Sequence, residues 1–228
     1  MKILVICDDH YHPGQTVKDG LAPLKDKGYQ FDFVEDGLAV KPENLKDYAV
    51  VILSKCDEAT PDNRVSWETA ELQKAFVDYV EKGGGLIAIH CGLVPGENSQ
   101  VLHGLIGAKF KSHPNNNPVT VEAVKTHPVT EGVEQFTELD EHYYLELLSD
   151  DVDILMASYS PSQGEEAKYE TEPYFNYPAK IEPSVLVRSQ GRGRTCVLSS
   201  GHHLEVWHNP NFQRLLDNSL RWCAGKYQ

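Results

Sequence analysis

The chain has 228 residues, enough for one large α/β domain with a sizeable core, and carries a formal net charge of −13 with a pI of about 5.1. That acidity repels phosphate backbones and excludes nucleic acid as a partner. No apolar run approaches the ~20 residues of a membrane span, the amino-terminal run is cut off by Asp8 and Asp9 and so is no signal peptide, and five scattered cysteines without a Cys-x-x-Cys suit free thiols in a reducing cytoplasm.

Lys2 to Cys7 reads as a strand buried on both faces. A polar loop follows, with Asp8, Asp9, His10, Tyr11, His12, Pro13 and Gly14. Thr16 to Lys27 carries Val17, Leu21 and Leu24 at helical spacing, and Gly28 closes it. Tyr29 to Val34 alternates weakly as a second strand. Tyr48 to Leu53 is a third, with Ser54, Lys55, Cys56 and Asp57 at its carboxyl end. Trp67 to Lys82 is a helix with Leu72, Phe76, Val77 and Val80 on one face, ended by Gly83, Gly84 and Gly85. Leu86 to Ile89 then has the apolar content of a central parallel strand. Strands alternating with helices to this point predict an α/β fold with a parallel sheet and right-handed crossovers.

After Gly92 the pattern becomes irregular. Asn98 to Leu105 reads as a short helix, Phe110 to Val124 holds His113-Pro114 and an Asn115-Asn116-Asn117 turn, and His127 to Gly132 reads as a loop. Phe136 to Tyr144 leads to a strand over Val152 to Ser158, and Pro161 to Pro183 is a polar, aromatic surface excursion. Val185 to Arg188 and Thr195 to Ser199 form an antiparallel pair joined at Gly191, Arg192 and Gly193. The last helix is the clearest: Asn209 caps it, Pro210 fits its first turn, Phe212, Leu215, Leu216, Leu220 and Trp222 supply its apolar face, and Gly225 ends it. No repeat, low-complexity tract or domain boundary interrupts the chain, so residues 1–228 read as a single domain.

The chemistry belongs at the carboxyl ends of the parallel strands. Polar residues stand at four of them: Asp8 to His12, Ser54 to Asp57, His90 and Cys91, and Gly201 to His203. Ala88-Ile89-His90-Cys91-Gly92 has the small-x-nucleophile-x-Gly pattern of a sharp turn after a buried strand, which lifts His90 into the crevice. A register one residue later lifts Cys91 instead. Other residues have plain structural readings. Tyr143 and Tyr144 can simply pack, and His142 reads as exposed. His113 and His127 precede prolines in loops, and Arg192 and Arg194 flank a glycine turn as solvated charges. Tyr169, Tyr174, Phe175 and Tyr177 read as a sugar-stacking lid, a subunit contact or a self-packed loop.

The His90 turn, the Asp140-Glu141-x-Tyr143 segment and the run Gly191-Arg192-Gly193-Arg194 through Ser199-Ser200-Gly201-His202, Asn209-Pro210-Asn211-Phe212 and Trp222-Cys223-Ala224-Gly225 resemble the trehalose-utilisation (ThuA-like) proteins. The resemblance covers nearly the whole chain and is most specific in the carboxyl-terminal third. It implies a flavodoxin-like three-layer sandwich with a mostly parallel central sheet, similar to the class I glutamine amidotransferases. It also implies a role in carbohydrate use, on a keto-disaccharide or related glycoside.

Amidotransferases of that class use an elbow cysteine activated by a histidine that a carboxylate two residues on orients. His203-Leu204-Glu205 has that spacing, but an imidazole at the tip forms no thioester, so glutamine hydrolysis is not expected. A Cys91-dependent amidotransferase or peptidase is the reading if Cys91 holds the tip. The expected catalytic residues are His90, His202 and Glu141, with His10, His12, Tyr143, Cys91 and His203 around the substrate. The histidines can act as acid and base near neutral pH or hold a divalent metal, although their spacing matches no local zinc motif, so the cofactor is left open. The rival reading is a non-catalytic module that binds a sugar or a partner protein. A homo-oligomer is neither required nor excluded.

Overall fold

The computed structural model describes residues 1–160 and 181–226. Its framework follows from strands that are apolar on both faces. In β1 (Lys2–Cys7), Ile3, Val5 and Cys7 enter one core while Leu4 and Ile6 enter the other. The same double burial holds for β3 (Val50–Ser54) and β4 (Gly85–Ile89), whose residues are all buried. A strand of this kind needs helices above and below it.

Those helices are α1 (Gly14–Leu21), α2 (Ala70–Glu81), α3 (Gln100–Ile106), α4 (Leu204–His208) and α5 (Pro210–Cys223). Val17 and Leu21 of α1, Val206 and Trp207 of α4, and Phe212, Leu216 and Leu220 of α5 fill the first core. Leu72 and Phe76 of α2 join Leu102 and Leu105 of α3 in the second. The remaining strands are β2 (Gln30–Val34), β5 (Ala108–Ser112), β6 (Asn117–Ala123), β7 (Phe136–Asp140), β8 (Tyr144–Leu147), β9 (Asp153–Tyr159), β10 (Glu182–Gln190) and β11 (Gly193–Leu198).

The main sheet has the order β2-β1-β3-β4-β11-β10-β9-β6-β7. The five strands from β2 to β11 are parallel, and β10, β9, β6 and β7 continue the sheet antiparallel. β5 and β8 form a separate antiparallel pair. This mixed sheet between two helical layers is the flavodoxin-like α/β arrangement expected. Among the described residues no helix is long and apolar enough to cross a membrane.

Several boundaries differ from the expectation. The first helix stops at Leu21 and continues as a 3₁₀ turn, Ala22–Lys27, ended by left-handed Gly28. Pro23 has no N–H to donate back into an α-helix, which favours the tighter turn. α2 begins at Ala70 rather than Trp67, because the N–H groups of Trp67 and Glu68 both donate to Asp57 Oδ1 and Thr69 caps the helix. The stretch Phe110–Val124, in which the sequence assigns only the Asn115-Asn116-Asn117 turn, contains most of β5 and all of β6. Of the excursion expected over Pro161–Pro183, residues 161–180 and the aromatic group within them lie outside the described residues. Its last two residues are not loop: Glu182 pairs with Ser158 and Pro183 with Ala157 in the β10–β9 ladder.

Candidate functional site

The parallel strands end on one rim because their registers align. Cys7 of β1 lies opposite Ser54 of β3, and Ile89 of β4 opposite Leu198 of β11. The next residues along the chain are Asp8, Lys55, His90 and Ser199, so loops from four strands meet at one edge.

β4 leads directly into a 3₁₀ turn, His90–Leu93. His90 has φ +47°, a left-handed backbone that a residue with a Cβ adopts only where its surroundings force it. Gly92 lets this turn pack close to β3, since a Cβ there would lie 2.1 Å from the Leu53 carbonyl oxygen. The backbone turns at His90, as the small-x-His-x-Gly reading predicts. Cys91 is the next residue, with Sγ 3.7 Å from Ser54 Oγ and within 4.8 Å of ligand atoms of Asp9 and His12, and its thiol is pushed well up in pKa by burial.

His12, His90, Glu141 and His202 converge on this turn, each offering one nitrogen or oxygen within 4.8 Å of the others. The imidazole centroids stand 5.2 Å (His12 to His90), 5.1 Å (His12 to His202) and 5.4 Å (His90 to His202) apart, edge to face. Glu141 Oε2 lies 3.2 Å from His90 Nε2 and 3.2 Å from His202 Nδ1. On its other side, Glu141 Oε1 is 3.7 Å from His113 Nε2.

Each of these side chains is held from behind. Asp9 Oδ1 accepts the N–H groups of Tyr11 and His12 and sits 2.8 Å from His12 Nδ1, while Oδ2 accepts the Cys56 N–H. The Ser199 carbonyl lies 2.9 Å from His90 Nδ1. Tyr143 stacks beneath the His90 ring at 3.9 Å. Asp140 accepts the N–H groups of Gly201 and His202 and so fixes the loop that carries His202. Carboxylates behind imidazoles fix both tautomer and ring orientation.

The electrostatics follow from burial and these contacts. Burial pulls the His90 pKa down to about 4, against the opposing pull of Glu141. Burial also pulls on His202, but the Glu141 carboxylate outweighs it and the net direction is up. Burial of Asp9 and partial burial of Glu141 push their carboxyls up, yet their imidazole neighbours keep both well below the usual carboxylate range. Asp140 is pushed up to about 6 by burial, which the two N–H groups it accepts only partly offset.

The expected residues thus divide into two sets. His90, His202, Glu141 and His12 come together, with Tyr143 packed under them. His10 stands outside the cluster: its Nδ1 contacts the Pro61 carbonyl at 3.2 Å and its ring meets Tyr11. His203 turns to Asn116, 3.0 Å away, rather than forming a triad with Cys91 and Glu205. His142, read as exposed, is buried against Ser158 Oγ at 3.1 Å. Arg194, read as solvated, donates to the Trp222 carbonyl and lies over that ring. Asp9 and His113 are members of the site that sequence reading did not single out. Asp9 carried a signal, the Asp-x-x-His spacing to His12, whereas His113 meets Glu141 only through the fold.

A family model described as trehalose utilisation matches residues 2–223. No curated protein matches the chain. Solved structures similar to it include a ThuA-like protein from Bacteroides uniformis, with 22% identity and TM-score 0.72 over 98% of this chain and 91% of that one. Another, from Parabacteroides merdae, has 18% identity and TM-score 0.74 over 100% of this chain and 91% of that one. A cytoplasmic protein from Salmonella typhimurium has 14% identity and TM-score 0.63 over 98% of this chain and 99% of that one. At these identities the likeness is one of fold.

Proposed function

The chain belongs to the trehalose-utilisation (ThuA) family, matched over residues 2–223, and from that membership we propose that it is a cytoplasmic carbohydrate-utilisation enzyme acting on a keto-disaccharide or related glycoside. The observation that carries the reading is the convergence of His12, His90, His202 and Glu141 at the carboxyl rim of the parallel strands. Three imidazoles edge to face around one carboxylate can move protons or hold a metal ion, which sugar binding alone does not require.

The chemistry suits a ketone. A base takes the proton from the carbon beside it, and that electron pair becomes a carbon–carbon double bond. The glycosidic oxygen leaves from the next carbon and takes up a proton. The ketone oxygen needs a positive partner while this happens. His90 and His202 supply these parts as base and acid, or as holders of a divalent ion that polarises the ketone, with Glu141 in reach of either.

The test is turnover of keto-disaccharides by wild type, His90→Ala and His202→Ala. Each substitution is expected to lower turnover by ~10²–10⁴-fold, the scale of one acid–base or electrophilic group. Unchanged turnover in both variants, with folding intact, removes this reading and leaves the binding module.

Glutamine hydrolysis is not expected. The elbow residue is an imidazole, and Cys91 is fully buried with its thiol held protonated. Ammonia release from glutamine that Cys91→Ser abolishes would overturn that expectation.

A further inference from the structure

We propose that His12, His90, His202 and Glu141 bind one divalent transition-metal ion at the elbow. The metal claim itself requires no particular substrate; only its use on the ketone rests on the sugar reading above.

The argument starts from tautomers. His90 Nδ1 faces a carbonyl oxygen, Ser199 O at 2.9 Å, so Nδ1 carries the hydrogen. In a neutral imidazole the Nε2 lone pair then faces Glu141 Oε2 at 3.2 Å. Two acceptors confront each other, and a cation between them relieves this. The same holds for His12. Its Nδ1 faces Asp9 Oδ1 at 2.8 Å and so donates, which leaves Nε2 as a lone pair. That Nε2 is buried and has no hydrogen-bond partner. His202 Nδ1 lies 3.2 Å from Glu141 Oε2 without the alignment of a hydrogen bond.

A single proton could relieve one of these confrontations. It does not account for a third imidazole whose buried lone pair points into the same space. One ion with several coordination positions accounts for all of them.

The distances agree. In a tetrahedral site with bonds near ~2.1 Å, ligand atoms stand about 3.4 Å apart. Two edges of the cluster, Glu141 to His90 and Glu141 to His202, are already 3.2 Å. The widest separation, within 4.8 Å, needs side-chain movement of little more than an ångström. Asp9 behind His12 and the Ser199 carbonyl behind His90 are the outer partners a metal-binding imidazole uses.

The donor set defines the ion. Three imidazoles and one carboxylate suit zinc, iron(II), cobalt(II) or nickel(II), not magnesium or calcium, which prefer oxygen. The ligands come from the loops after β1, β4, β7 and β11, so no local spacing in the sequence announces them.

The experiment uses the full chain, stripped with a chelator and then titrated with Zn²⁺ and, separately, Co²⁺. The expected result is one ion per chain and a visible Co²⁺ absorption band. His90→Ala, His202→Ala and the near-isosteric Glu141→Gln should weaken binding by at least ~10²-fold. Asp9→Asn, a positioning change, should weaken it by ~10–100-fold. His208→Ala, on the exposed side of α4, should bind as wild type does. Circular dichroism checks that each variant folds.

Wild-type binding below ~0.1 Zn²⁺ per chain overturns the proposal. So does unchanged affinity in His90→Ala and His202→Ala, or preference for Mg²⁺ over Zn²⁺. A bound ion with no keto-sugar turnover in any metal form supports the site and removes the sugar reading. Full turnover in the stripped protein overturns a role for the ion.

Discussion

Glu68 is a single residue whose cost can be measured. It is buried just before α2, its Oε2 has no hydrogen-bond partner, and it repels the nearby Asp57. Burial pushes its carboxyl up to about 8, a shift that the Ser99 hydroxyl beside it only partly offsets. Its ordinary value is ~4.3. Below that pH both folded and unfolded chains hold the proton, and Glu68 costs nothing through ionisation. Between ~4.3 and about 8 the unfolded chain ionises while the folded chain does not, so stability falls as pH rises. The loss levels off above the folded value, at an order of magnitude of a few kcal/mol. Glu68→Gln removes this slope. Denaturant unfolding across pH should give wild type and variant equal stability near pH 4, with the variant progressively more stable up to pH 8. Parallel stability curves would show that Glu68 titrates normally. Residues at strand ends were legible because strand position alone puts His90 and His202 on the rim. His113 was not legible, because its contact with Glu141 joins residues 28 positions apart in the chain, across loop and strand, with no pattern linking the two.

At the scale of elements, the turn after β4 depends on close approach. A Cβ on Gly92 would meet the Leu53 carbonyl oxygen at 2.1 Å, and that atom is backbone of β3 and cannot swing away. Gly92→Ala must therefore move the 3₁₀ turn, and with it His90. Expected are a lower melting temperature and a loss of turnover comparable to that of His90→Ala, measured by thermal unfolding and keto-disaccharide assay. Wild-type values for both would show that the turn accommodates a side chain. α1 meets α4 under a similar constraint, since a Cβ on Gly20 would lie 2.6 Å from Trp207. Gly20→Ala is expected to destabilise by ~1–3 kcal/mol, as overpacking does, with the elbow's chemistry intact in the folded fraction. Elements with one dominant signal were readable in advance. β1 is apolar after Lys2 and β4 throughout, and α5 has its Asn209 cap, Pro210 and apolar stripe. β5 and β6 were not readable. β5 carries lysines at alternate positions and pairs outside the main sheet, and β6 begins with Asn117-Pro118 at an asparagine turn, so local composition gave no strand signal.

For the whole molecule, the parallel half of the sheet was legible because both its faces are buried, a demand that composition records directly. In the antiparallel half, the strand at β9 and the β10–β11 pair were legible, but the placing of β6 and β7 beside β9 was not, because it rests on pairing between distant segments rather than on repeated strand–helix units. The first core holds Cys7, Cys196 and Cys223, while Cys56 and Cys91 are buried just past the ends of β3 and β4. Cys7, Cys56, Cys91, Cys196 and Cys223 are all free and all buried. Burial pushes Cys7 up to about 12 and raises Cys56, Cys91 and Cys223 as well, so little thiolate exists at neutral pH. A disulfide reagent can therefore reach them only when the sheet opens. In native buffer at neutral pH, fewer than ~1 thiol per chain should react over minutes; in denaturant, all five should react at once. Labelling followed through a denaturant ramp should track unfolding measured by circular dichroism, because all five cysteines are buried in the folded chain. One fast-reacting thiol in native protein, lost in Cys91→Ser, would place an activated cysteine at the elbow. That outcome would return the site to amidotransferase or peptidase chemistry.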